Sequence, residues 1–224
     1  METLLRNEFV AVVNANRRNN APAWNTKAHV RVEDIGEAAF DVGDPKDDLQ
    51  TIKRELGHGA ASYINGTNAK PYHLRFVCYD EYLHQFVFDD ELGHHNVSML
   101  KDHTQMADFI VYDTGQHRVW MIIHELSTGA LENKRGRGKL QLSATVNMLY
   151  KSPAVKKFMD GFKHKICILS AHDKRFLSPQ GIADAFMTPY LVHPEPLEFN
   201  FGVIRRFGFR AFETSKVILN RDDN

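Results

Sequence analysis

Apolar residues recur at helical spacing near the N-terminus. Leu4, Leu5, Phe9, Val12 and Val13 form one stripe, so a first helix is expected over 2–16. A polar loop with Pro22 follows, and 29–40 carries no clear period. A second helix is expected over 45–64. Pro45 suits its first turn, and Leu49, Ile52, Leu56 and Ala60 make its stripe. Gly57 and Gly59 weaken its second half, and Asn65-Gly66 ends it. Segments 74–79 and 82–88, rich in aromatic and β-branched residues, read as strands. After a polar loop, strands are expected over 108–112 and 118–126, joined around Asp113-Thr114-Gly115.

The pattern changes again after Leu126. A loop rich in glycine and charge is expected over 127–138, then a helix over 139–150 that continues or restarts through 153–162. Segment 165–170 is a strongly apolar strand. A short helix is expected over 178–187, with Ser178 as N-cap and Pro179 at its first position, and a last strand over 201–212. Strand runs flanked by helices predict an α/β (α+β) chain, a three-layer α/β/α domain around a central mixed β-sheet. Its expected division is a helical and irregular extension, 1–44, and a main domain, 45–224.

The hairpin from Ala107 to Ser127 carries the most chemical information. One acid, Asp108, enters its first strand, and another, Glu125, lies near the end of its second. Two carboxylates held side by side on adjacent strands suit a hard divalent cation such as Mg²⁺ or Mn²⁺, which takes oxygen ligands. The Leu126 carbonyl is a candidate third oxygen.

Composition changes this picture less than charge order does. The 224 residues fit one large domain or one domain with an appendage, and 43% hydrophobic content permits a sizeable core. No apolar run approaches the roughly 20 residues that cross a bilayer, and no apolar signal core opens the chain, so a cytoplasmic protein is expected. Net charge is +0, yet 76–132 holds ten acids and two Lys/Arg, whereas 133–175 holds eleven Lys/Arg and two acids. A groove feels only its own walls, so this asymmetry keeps a nucleic-acid partner in view. A solvated helix face explains the same charges equally well. Cys78 and Cys167 lack CxxC spacing and sit in apolar runs, which points to buried, inert thiols.

The hairpin, its two acids and the helix after it resemble the PD-(D/E)XK nuclease superfamily, with its restriction-endonuclease-like core. Ala107-Asp108 sits where that motif has Pro-Asp, and Glu125-Leu126-Ser127 where it has Glu-x-Lys. The resemblance spans about 45–170. It implies a metal-dependent endonuclease that hydrolyses phosphodiester bonds, of DNA before RNA, in a defence, mobile-element or phage setting. It further implies Asp108, Glu125 and the Leu126 carbonyl as metal ligands, Gln141 as the second-helix glutamine, and Glu55 as a first-helix acid. The motif lysine is replaced by Ser127. In parts of the family this lysine lies on the following helix, so Lys139 is the better-placed candidate, and Lys134 the other.

In that chemistry the metal polarises the scissile phosphate and acidifies a bound water. Lys134, Arg135, Arg137 and Lys139, spaced by Gly136 and Gly138, are candidate phosphate contacts. A P-loop is excluded because no Gly-Lys-Ser/Thr follows at the required spacing. His94-His95-Asn96 raises a zinc-stabilised His-Asn-His nuclease as a further option, and His124 is expected on the sheet face opposite Glu125. Three functions stay open: the nuclease; a non-catalytic nucleic-acid-binding or assembly subunit on the same scaffold, motivated by the missing lysine; and a structural or interaction protein, motivated by neutral charge and 15 Phe. A homo-oligomer or a partner subunit is compatible with each.

Overall fold

The computed structural model describes residues 1–43, 51–53, 56, 59–67, 69–100, 106–128, 131–172 and 196–219, without the side chains of 127–128, 131–135 and 171–172. Thirteen strands, numbered along the chain, form three sheets among these residues. The largest has seven strands. In spatial order they are β1 (Val32–Ile35), β5 (Leu74–Cys78), β8 (Phe109–Asp113), β9 (Trp120–Thr128), β10 (His164–His172), β12 (Arg210–Glu213) and β11 (Leu197–Glu198). Strands β1, β5, β8 and β9 run as an antiparallel series, β9, β10 and β12 are parallel, and β11 closes the far edge antiparallel. The chain is therefore mixed α/β with a large mixed central sheet. The second sheet has the order β13 (Lys216–Leu219), β4 (Ala61–Asn65), β2 (Ala39–Val42), β3 (Ile52–Lys53). Strands β6 (Val87–Phe88) and β7 (Val97–Ser98) form a small hairpin.

Two cores follow from strand alternation. On one face, Ile110, Met121, Ile123, Cys167 and Leu169 pack against helices. These supply Leu5 and Phe9 from the N-terminal helix, Leu142 and Val146 from the long helix Leu131–Leu149, and Val155 and Met159 from the helix Pro153–Met159. On the other face, Phe76, Phe109, Ile122 and Ile168 meet Phe40, Tyr63 and Val217 of the four-stranded sheet. The expected α/β/α layering is thus corrected. Among the described residues the second outer layer is a sheet.

The correction has a local cause. The expected helix over 45–64 contains β3 and β4 instead, and its first residues, 45–50, lie outside the described residues together with Glu55 and Gly57. In β4, burial alternates at Ala61, Tyr63 and Asn65. Gly59 admits no side chain: a Cβ there would lie 2.6 Å from Asp41 Cβ and 2.8 Å from Val42 O. The buried Asp41 carboxylate accepts from Gly59 N at 2.9 Å and from Ser62 Oγ at 2.6 Å, fixing the entry to β4. The pairings outweigh the weak stripe through Leu56 and Ala60.

Other differences follow the same logic. Segment 82–88, expected as a strand, begins as the end of a helix, Tyr79–His84. Its buried Tyr79, Tyr82, Leu83 and Phe86 stand at helical spacing, and Tyr82 Oη donates to Leu5 O at 2.8 Å. The last expected strand is divided into the helix Gly202–Arg205 and β12, with Gly208 between them at φ +79°. Within residues 1–43 the first helix enters the main core, β1 pairs with β5 and β2 pairs with β4. The short helix expected over 178–187 lies outside the described residues.

The long helix starts at Leu131, so the basic stretch 134–139 is its first turns and not a loop. Gly138 sits where this helix touches β10. A Cβ there would lie 2.4 Å from Leu169 Cδ1, a fully buried atom group with little freedom to yield. Gly138→Val should therefore cost about 1–3 kcal/mol, an overpacking penalty readable as a lower urea midpoint. An unchanged midpoint would show that the helix can lift off β10 freely.

Candidate functional site

The hairpin β8–β9 sets the site. Its register pairs Phe109 with His124, Ile110 with Ile123 and Tyr112 with Met121. One step beyond Phe109, Asp108 comes alongside Glu125. Its Oδ2 accepts the Leu126 N–H at 2.7 Å. Side chains alternate across a strand, so Asp108 shares the face of Ile110 and Tyr112, and Glu125 that of Ile123 and Met121. Both acids thus lie on the helix-covered face. Asp108 is 6% exposed and Glu125 5%.

The long helix holds the strand entry in place. Thr145 Oγ1, fully buried, accepts from Ala107 N at 2.8 Å. Gln141 Nε2 donates to Met106 O at 3.4 Å, so the glutamine reaches the segment that delivers Asp108. Tyr79 N donates to Asp108 O at 2.8 Å, which ties the start of the helix Tyr79–His84 to the same residue. Asp80, in the first turn of that helix, is 3% exposed. Neither Asp80 nor Thr145 stands out in the sequence. The signal for Asp80 was the helical spacing of Tyr79, Tyr82, Leu83 and Phe86, hidden by their aromatic, strand-like composition.

Lys139 packs on an aromatic ring. Lys139 Nζ lies over the Phe199 ring, 4.4 Å from its centroid, on the side of the helix turned from Gln141. This is the observed seat of the lysine expected at the metal. Arg137 is exposed. The side chains of Lys134, Arg135 and Ser127, and all of Glu55, lie outside the described residues.

The donor set is oxygen-rich and small. A carboxylate has two oxygens with several lone pairs, so a carboxylate that accepts one N–H can in general also ligate a metal ion. A strand residue's N–H and C=O face the same edge, so the Leu126 carbonyl is directed to the Asp108 side. Two carboxylates and a carbonyl suit Mg²⁺, which is bound through one or two carboxylates and keeps several waters. Among the described residues, no group of three or more His, Cys, Asp or Glu side chains could hold a metal ion. His94 and His95 instead reach separate acids of their own loop, Asp90 at 2.9 Å and Asp89 at 3.0 Å.

His124, next to Glu125, points to the opposite face. Ser170 Oγ donates its hydrogen to Thr214 O at 2.6 Å. It must then accept from His124 Nε2–H at 2.8 Å, which leaves Nδ1 to accept from Tyr63 Oη at 2.7 Å. This chain pins β9 to β10, β4 and the turn after β12. Burial lowers the His124 pKa to about 3, so the ring is neutral. Cys78 and Cys167 are free and buried, and burial pushes both thiols up, Cys78 to about 12, in line with inert packing.

No protein-family model, curated protein or solved structure matches the chain. Among the described residues, no helix is long and apolar enough to cross a membrane.

Proposed function

We propose that this chain is a metal-dependent nuclease that hydrolyses phosphodiester bonds, of DNA in the first instance. The observation that supports the reading is the β8–β9 register, which sets Asp108 beside Glu125 on one sheet face with Leu126 directed at the same acid. In this reading Asp108, Glu125 and the Leu126 carbonyl hold Mg²⁺ or Mn²⁺. The ion supplies Lewis-acid polarisation of the phosphate and a water acidified for attack. Gln141 and Thr145 keep the Asp108 segment seated against the long helix, and that helix shields the carboxylates from bulk water. The deciding experiment incubates the full chain with single- and double-stranded DNA and RNA at varied Mg²⁺ and Mn²⁺. Cleavage that EDTA abolishes supports the proposal. Absence of cleavage with every substrate and ion overturns it.

The position of Lys139 over Phe199 favours a second reading, a non-catalytic nucleic-acid-binding or assembly subunit. Both readings place phosphate on the first turns of the long helix, where backbone N–H groups and cations favour anions. Neutralising Lys134, Arg135, Arg137 and Lys139 together should flatten the salt dependence of duplex binding. The log–log slope should fall by about 0.9 for each phosphate no longer engaged. An unchanged slope would make this helix end plain solvated surface.

A further inference from the structure

A cavity of about 440 Å³ lies between β13, an edge strand of the small sheet, and the β9–β10–β12 part of the large one. Its volume falls in the range of about 300–1,000 Å³ usual for small-molecule sites. Two flat rings line it. Trp120 packs on the His164 imidazole at 4.7 Å between centroids, and Phe212 carries the Arg210 guanidinium at 4.8 Å. Lys163, Arg210 and Lys216 also line it, whereas the ammonium of Lys165, another lining residue, is held by Asp160 at 2.6 Å and by Phe207 O at 2.7 Å; no Asp or Glu lines the cavity among the described residues. Arg210 is shared with Glu198, an exposed partner at 2.8 Å whose attraction water screens. Aromatic faces with surrounding cations fit a planar ring carrying a negative group, because the ring stacks and the anion pairs.

We infer that this cavity binds a nucleotide, its base against Trp120 or Phe212 and its phosphate among the cations that include Lys216. The site is separate from the carboxylate pair. Trp120 and Glu125 lie on opposite faces of β9, five residues apart, roughly 17 Å along the strand. The inference stands whether or not the chain is a nuclease.

The chain has 2 Trp, Trp24 and Trp120. Trp24 packs elsewhere, against Phe86, so in a Trp24→Phe chain the fluorescence reports Trp120 alone. That chain is titrated with adenosine and guanosine monophosphates, and with adenosine, ribose 5-phosphate and inorganic phosphate as controls. Calorimetry on the unaltered chain covers the case in which Trp24→Phe perturbs folding. Saturable quenching by a monophosphate, about tenfold or more tighter than by its nucleoside or by ribose 5-phosphate, supports the inference. Lys216→Glu, a surface change, should weaken it by about tenfold or more, as expected for one charge-assisted contact. Binding of short single-stranded oligonucleotides but no mononucleotide would support the same base-and-phosphate chemistry with a strand as its source. Equal binding of phosphate and nucleotide overturns the inference, as does no response to any of these probes.

Discussion

Asp108→Asn and Glu125→Gln should each lower Mg²⁺-dependent cleavage by about a hundredfold or more. A metal that stabilises the reacting phosphate contributes several kcal/mol, and each ~1.4 kcal/mol is a factor of ten. Amides are the right substitutions here. Asparagine keeps an oxygen to accept the Leu126 N–H that Asp108 now accepts at 2.7 Å, whereas alanine would strand that buried donor at about 1–3 kcal/mol. Stabilisation by Mg²⁺ or Mn²⁺ should vanish in both variants, because binding to the folded state alone raises the melting temperature. If both amide variants cut as fast as the parent, the pair is structural and the nuclease proposal fails at this site. If the parent neither cuts nor gains stability from metal, the binding reading takes its place.

Much of this site was legible because strand alternation is a local rule. The apolar runs on either side of Asp113-Thr114-Gly115 dictate a hairpin, and its length brings Asp108 level with Glu125. The same period puts His124 on the far face. The position of Lys139 was not legible, since it depends on where the long helix begins. Gly136 and Gly138 read as loop residues, yet Gly138 is demanded by the contact with Leu169 inside a helix. The second sheet was hidden for a related reason. Strand β3 is two residues long, and β4 pairs with β2 and β13, remote in sequence. No short window can display pairings of that kind, whereas the glycines and scattered apolar residues of 45–64 mimic a weak helical stripe. The aromatic run 79–86 misled in the opposite sense, because its composition suits a strand while its spacing suits a helix.

The buried His124 gives the largest expected pH effect. Its folded pKa is about 3 through burial, against an ordinary value of 6.5. Between those values the unfolded chain binds a proton that the folded chain refuses, so stability rises with pH. This contribution is fully present above about pH 6.5 and is lost as pH falls toward about 3, at up to about 1.4 kcal/mol per unit. Urea unfolding of the parent at a series of pH values from neutral to acidic should show that slope. In His124→Gln the amide can still donate to Ser170, but one short amide cannot also reach Tyr63 Oη. The variant should therefore lose about 1–3 kcal/mol at neutral pH for the stranded hydroxyl. It should also lose the His124 share of the acid slope, because glutamine does not titrate, while lowered carboxylates such as Asp160 keep theirs. The curves of parent and variant then converge or cross as pH falls, an outcome that mere loss of packing would not produce. Parallel curves would mean that His124 is protonated in the folded chain, and the neutral Tyr63–His124–Ser170 chain that pins β9 behind Glu125 would have to be discarded.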